Sequence, residues 1–278
     1  MNNFSKHIDF EKRRMPGRAG LTVIELLVVI GIIAAVVAIS LPAINAMQKS
    51  FDSTGAEGMI SAALSTARTL AISRQQYVGV RFQTSYDPND VLDEEQYMIF
   101  IIFDEEKTNW DCGFVSIPGY KPMKLPENIG VIDKIVKNKH VAGELKCNMG
   151  KYTEVSLNDF TDNANIVDTM TFSIVFSPAG KLVIHEVKCR NSDYSATSIK
   201  DDVFNTRTNV TATSPVGMFV DDYLTEEDGL SIDKSRTKLV IYNRKELEKY
   251  APADRYEKYL KELPVLHINP YTGGIIEK

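Results

Sequence analysis

Apolar and polar positions change character along this chain. From Leu21 to Met47 apolar residues dominate, and between Leu26 and Met47 there is no charge at all. At ~1.5 Å per residue a helix over that stretch reaches ~33 Å, close to the ~30 Å hydrocarbon core of a bilayer. One membrane crossing is therefore predicted over 21–48, and no second run of this kind follows. Next, Ile60, Ala63, Leu64, Ala67, Leu70 and Ala71 recur at i, i+3, i+4 and i+7, with Ser61, Ser65, Thr66, Arg68 and Thr69 on the other side. That spacing predicts an amphipathic continuation of the helix over 49–76, ending near Gln75. Gly55 and Gly58 each weaken a helix by up to ~1 kcal/mol relative to alanine, so flexibility is expected between Pro42 and Met59.

Strand signals dominate the remainder, 77–278. Short β-branched and aromatic runs occupy 77–82, 97–103, 113–117, 128–132, 169–176, 181–187, 237–243 and 265–269, bounded by turn residues. Alternation is clearest at Met170, Phe172, Ile174 and Phe176, and "SPAGK" at 177–181 reads as the hairpin turn into the following strand. Residues 190–236 are polar without sustained periodicity and read as a long loop. Residues 244–263 look helical, with Leu247, Tyr250, Tyr259, Leu260 and Leu263 as anchors and a break at Pro252. The predicted fold class is α+β: a long N-terminal helix packed on an antiparallel sheet or sandwich.

Charge fixes the expected orientation. The net charge of -5 hides a basic leader. Residues 1–20 carry Lys6, Lys12, Arg13, Arg14 and Arg18 against Asp9 and Glu11, which leaves +3 there and -8 on the rest. Under the positive-inside rule the leader stays cytoplasmic and the body from about Lys49 crosses the membrane. An acidic body makes nucleic acid a poor default partner. Three cysteines, Cys112, Cys147 and Cys189, show no two-residue spacing of the kind thiolate metal sites use. One disulfide plus a free thiol, in any of the pairings, stands beside three buried reduced cysteines.

The order of features differs from a secretory signal, whose small-residue cleavage site lies beyond the apolar region. Here the small residue, Gly20, precedes the apolar run, so a cut there removes only the polar leader and leaves the membrane helix in place. Glu25 is the one carboxylate near the start of that run, and a carboxylate in hydrocarbon costs ~2.5 to 3.5 kcal/mol on insertion scales. Cutting after Gly20 makes Leu21 a new amino terminus about one helical turn from Glu25, and an axially shifted neighbouring helix could present its ammonium to that carboxylate. Gly31, Ala34, Ala35 and Ala38 form a small-residue pattern that lets helices approach closely. Pro42 supplies no N–H to the carbonyl of Ala38, which predicts a kink or a locally melted turn.

"RAGLTVIELLVVIGIIAAVVAISLPAI" resembles the N-terminal signal of type IV prepilins and type II secretion pseudopilins. The resemblance implies cleavage after Gly20 and N-methylation of Leu21 by a membrane-embedded prepilin peptidase, with Glu25 used for subunit registry. Leu21 departs from the phenylalanine commonest there. Further on, "ISAALSTARTLAISRQQYVGVRF" at 60–82 is similar to the GspH/FimT group of minor pseudopilins and minor pilins, through Ala67, Arg68, Ala71 and Ile72. "FSPAGKLVI" and the terminal "INPYTGGII" are similar to that group's late strands, while 190–236 lies outside the likeness. The implied protein is a non-enzymatic filament subunit of a secretion pseudopilus or type IV pilus, in initiation, tip or cargo contact. It would sit in a bacterial inner membrane with a periplasmic head, or in a surface filament. Its implied partners are the prepilin peptidase, other pilin or pseudopilin subunits, the assembly platform and the lipid bilayer. The competing expectation is a membrane-anchored binding or enzymatic domain for which 21–48 is only an anchor.

Other candidate chemistry is sparse. His7, His140, His185 and His267 are scattered, and no HExxH, GxSxG or phosphate-loop pattern is present. The acidic runs at Asp87, Asp90, Asp93, Glu94 and Glu95, and at Asp221, Asp222, Glu226, Glu227 and Asp228, offer oxygen ligands for calcium. Neither has calcium-loop spacing, so solvated loops are the better expectation and no cofactor or metal is assigned. Lys134, Lys137, Lys139 and His140 form a small basic cluster that reads as a solvated loop rather than a DNA contact.

Overall fold

The computed structural model describes residues 23–85, 94–104, 113–133, 135–136, 153–154, 169–190, 203–205, 217–219 and 233–277. Two compact units divide the chain, Met1–Gln48 and Lys49–Lys278. Helix α1 is assigned to Val23–Arg74 and passes without interruption through Pro42, Gly55 and Gly58. One missing hydrogen bond at a proline is bridged by the ladder on either side. Near the glycines the helix is supported instead by burial of Ala56 and Ile60, each at 0% exposure. Within the first unit, the side chains from Val23 to Ile33 that are described are exposed apolar groups. Among the described residues no helix is long and apolar enough to cross a membrane. The side chains of residues 35–53, on which much of the expected span falls, lie outside the described set.

In the second unit α1 has one buried and one exposed side. Ile60, Ala63, Leu64, Ala67 and Ala71 are buried in one core cluster, with Leu70 packed against it, while Ser65, Thr66 and Thr69 are exposed. Gln75 ends the helix in the left-handed region at φ 53, and the chain turns directly into β1 (Val78–Thr84).

β2 (Gln96–Phe103), β3 (Gly113–Ser116) and β4 (Met123–Lys124) follow. After β5 (Ile129–Ile132), β6 (Ile135–Val136) and β7 (Thr153–Glu154) come β8 (Phe172–Phe176), β9 (Leu182–Val183) and β10 (Glu186–Arg190). An eight-stranded sheet runs β13-β10-β3-β2-β1-β8-β9, with β4 on β2 and β13 formed by Asp233–Lys234. A second sheet runs β16-β15-β14-β5, with β14 at Lys238–Asn243, β15 at Leu266–Ile268 and β16 at Ile275–Glu277. Most pairings are antiparallel, but β10 lies parallel to β3. These two strands are far apart in sequence, so no hairpin dictates their sense, and the sheet is mixed where an antiparallel one is expected.

Alternation explains the layers. Val78, Val80 and Phe82 of β1, Met98, Phe100 and Ile102 of β2, and Phe172, Ile174 and Phe176 of β8 share one face, and with α1 and Leu239, Leu266 and Ile268 of the second sheet they form the main core. Phe82 stacks on Phe172 at 4.7 Å. The opposite face of the large sheet is also buried, by Ile99, Ile101, Phe103, Phe114, Val175, Val187 and Cys189. A strand pair drawn from the polar 190–236 region joins this second cluster: β11 (Phe204–Asn205) and β12 (Met218–Phe219) run parallel, with Phe204 buried and Val203 and Met218 packed against it. That region is therefore not only solvated loop, because isolated apolar residues in it have a sheet face to cover.

Buried polar groups join the two sheets. The amide of Gln96, 1% exposed, donates to the carbonyls of Val131 at 2.8 Å and Met170 at 2.7 Å and accepts from the Val131 N–H at 2.7 Å. Arg236 donates through Nε to Asp133 Oδ2 at 2.7 Å, with both side chains buried. A buried amide or ion pair needs all its partners, so these contacts hold the sheets in one arrangement. Beyond β14 the break expected at Pro252 is present: α2 (Arg244–Leu247), capped by the Asn243 side chain, gives way to a 3-10 turn at Pro252–Asp254 and a π turn at Tyr256–Leu260.

Candidate functional site

The N-terminal candidates fall largely outside the described residues. Gly20 and Leu21 lie outside the described residues, and so does the side chain of Glu25, whose backbone is helical within α1. Downstream of Glu25, Leu26, Leu27, Val28, Val29, Ile30, Ile32 and Ile33 are 45% to 62% exposed. A row of exposed aliphatic side chains on a helix needs another apolar environment to cover it.

In the second unit, the end of α1, the β8–β9 turn and the β15–β16 loop converge on one clasp. Arg68, on the last turns of α1, points toward the sheet rather than away from it, and its Nε donates to the Gly180 carbonyl at 3.0 Å. Gly180 closes the β8–β9 turn: its N–H bonds the Ser177 carbonyl at 2.7 Å and the Ser177 N–H bonds the Lys181 carbonyl at 2.9 Å. Its φ of +70° is left-handed, and a Cβ on it would lie 2.5 Å from Ile72 Cδ1. Glycine is thus required by conformation and lets the helix end approach the turn closely.

The loop between β15 and β16 completes the clasp. Asn269 organises it, accepting on Oδ1 from the N–H groups of Tyr271 at 2.9 Å and Thr272 at 3.2 Å, and on its carbonyl from Gly273 N–H at 2.9 Å. The Leu182 N–H donates to the Pro270 carbonyl at 2.8 Å, and Lys181 Nζ lies 5.8 Å above the Tyr271 ring, within cation–π range. Ile72 and Tyr271 are 39% and 66% exposed. The clasp therefore presents a rigid surface of two exposed apolar side chains and a cation beside the end of α1.

The remaining candidates do not form a reactive site among the described residues. His185 lies between β9 and β10, held by the Ser235 hydroxyl on its N–H at 2.8 Å, with its ring 4.5 Å from Tyr77 and 5.6 Å from Phe103. His267 sits in β15, half-buried. Of the acidic runs, Glu94 and Glu95 are described: Glu95 accepts from Lys124 and Tyr97. The Lys124 and Tyr97 hydrogen bonds hold its carboxyl below the usual range, and the same contact pushes the Tyr97 phenol up to about 12. Asp87, Asp90 and Asp93, the 221–228 run, His7, His140, the lysines at 134, 137 and 139, and Cys112 and Cys147 all lie outside the described residues. Cys189 is buried. Among the described residues no group of three or more His, Cys, Asp or Glu side chains is placed to hold a metal ion. No protein-family model, no curated protein and no solved structure matches this chain.

Proposed function

We propose that this chain is a minor pilin or minor pseudopilin: a subunit processed after Gly20 that joins a type IV pilus or type II secretion pseudopilus through its N-terminal helix and exposes a pilin-type head. The observation that carries this reading is the order Gly20, Leu21, Glu25 and then an uncharged apolar run, behind a basic leader. The exposed side chains from Val23 to Ile33 support it, because they offer an apolar surface first to a bilayer and then to neighbouring helices. In this mechanism the helices of adjacent subunits bury against one another, and Glu25 meets the methylated Leu21 ammonium of a neighbour. A subunit in the wrong register leaves both charges unpaired in an apolar setting, which penalises that register. The head, placed in the periplasm, supplies initiation, tip or cargo contact.

The deciding experiment is mass spectrometry of the N-terminal peptide from the native cell. A methylated Leu21 terminus is expected, and a chain found only with its leader intact overturns the reading. Glu25→Ala is expected to leave insertion and cleavage unchanged while lowering incorporation into filaments, and normal incorporation would remove the registry role. Under the competing reading, in which the helix only anchors an unassembled domain, Gly20→Ala has no consequence for the cell.

A further inference from the structure

The segments that meet at the clasp carry a net positive charge on a body that is negative as a whole. Residues 58–85, 177–185 and 264–276 contain Arg68, Arg74, Arg81 and Lys181 and no aspartate or glutamate, in a chain that carries -8 from Leu21 onward. Arg81 is buried, so Arg68, Arg74 and Lys181 are the cations that can act at the surface. Exposed apolar side chains gather in the same segments. Among the described residues from Lys49 onward, the large exposed ones are Ile72, Tyr120, Ile184, Tyr271 and Ile276, and all but Tyr120 fall in these three stretches.

We propose that the surface of Ile72, Lys181 and Tyr271 is a docking site for an acidic segment of a partner protein, one carrying apolar side chains among its carboxylates. Three properties argue for that occupant. The local positive sign on an acidic body selects an approaching segment of opposite charge and repels copies of the body itself. An exposed tyrosine is the kind of anchor that dominates interface energetics, and Ile72 adds apolar area in the same exposed set. Contiguity and rigidity are given by the structure: Ile72 lies over Gly180, Lys181 follows it and sits above Tyr271, and Asn269 holds the Tyr271 loop through its side chain and carbonyl. A preorganised surface loses little conformational freedom on binding. A polypeptide is favoured over nucleic acid because three cations, one already bonded to a backbone carbonyl, fall short of the roughly 6–10 phosphate contacts that nucleic-acid binders make. The inference rests on charge and exposure and holds whether or not the chain enters a filament.

The test uses the full chain in detergent micelles and a fluorescent glutamate–tyrosine copolymer as the probe, read by anisotropy. Wild-type protein is expected to bind, more weakly as salt rises. Lys181→Glu and Tyr271→Ala are each expected to weaken binding roughly tenfold at an unchanged melting temperature, since both side chains are exposed. Lys258→Glu, a charge change on the π turn, which packs in a different apolar cluster, is expected to bind like wild type. Equal binding by Lys181→Glu and Tyr271→Ala, an equal loss in Lys258→Glu, or tighter binding of a short single-stranded oligonucleotide than of the copolymer would each overturn the proposal.

Discussion

Arg68 and Gly180, separated by 112 residues, are joined by a single hydrogen bond of 3.0 Å from the guanidinium Nε to the turn carbonyl. That bond ties the end of α1 to the β8–β9 hairpin and accounts for an arginine on what its sequence position marks as the polar face of the helix. It also accounts for the turn sequence, because Gly180 must be left-handed to aim its carbonyl at the helix while Ile72 lies over its Cα.

Replacing Gly180 by alanine is expected to destabilise the fold by about 1–2 kcal/mol, the cost of a non-glycine residue in the left-handed region. The contact with Ile72 adds less, since Cδ1 is the end of a rotatable chain. In a denaturant-melt cycle, Ile72→Ala should therefore recover only a minor part of the loss, and full recovery would show that the contact, not the backbone, sets the cost.

Gly130 presents a harder constraint. It pairs with Tyr242 across β5 and β14, and a Cβ on Gly130 would lie 2.2 Å from the Tyr242 ring. That ring is 2% exposed and cannot swing away. Gly130→Ala is expected to cost about 1–3 kcal/mol as overpacking, and Tyr242→Leu in the same chain should restore part of it, measured by the urea midpoint.

The Asp133–Arg236 pair predicts an asymmetric response. Asp133→Asn removes the carboxylate that meets the buried Arg236 Nε and is expected to cost about 3–5 kcal/mol. Replacing both residues by apolar ones of similar volume should cost much less. A double replacement as damaging as the single one would mean that the pair's wider hydrogen bonding, not its charge, is what the interior needs.

Alkaline pH is expected to weaken the fold through Tyr242. Burial pushes its phenol up to about 12, against an ordinary value of 10. A raised pKa means that the folded chain holds a proton the unfolded chain releases. The stabilisation is therefore complete below pH 10 and is lost between about pH 10 and 12. The loss amounts to about 2–3 kcal/mol by linkage. Tyr97, raised by Glu95, acts in the same window but near the surface. Melts of wild type and Tyr242→Phe at pH 9 and above pH 11 check this, the variant being expected to lose less stability over the interval.

Much of the strand content was legible in the chain, because alternation records which residues face a core. Phe172, Ile174 and Phe176, with Ser173 between them, mark a buried face by local alternation, and the buried stripe of α1 from Ile60 to Ala71 is equally local. The turn at Ser177–Lys181 follows from proline and glycine chemistry alone. For the N-terminal stretch, the order of Gly20, Glu25 and the apolar run is itself the signal, since the roles proposed for it rest on spacing in the sequence.

Tertiary structure decided what no local pattern encodes. The parallel pairing of β3 with β10 joins strands about 75 positions apart, and pairing at that range is selected by packing rather than by turn geometry. The core role of Phe204 and Met218 in a polar region depends on an uncovered sheet face contributed by other strands. Gln96, just outside the apolar run at 97–103, becomes the link between two sheets only because the carbonyls of Val131 and Met170 arrive beside it. Arg68, Gly180 and Asn269 likewise form one surface only after the helix end, a hairpin and the last loop have been brought together. Sequence periodicity determines which side of an element is buried, while long-range packing determines what it is buried against, because the partner's position is set by the whole core at once.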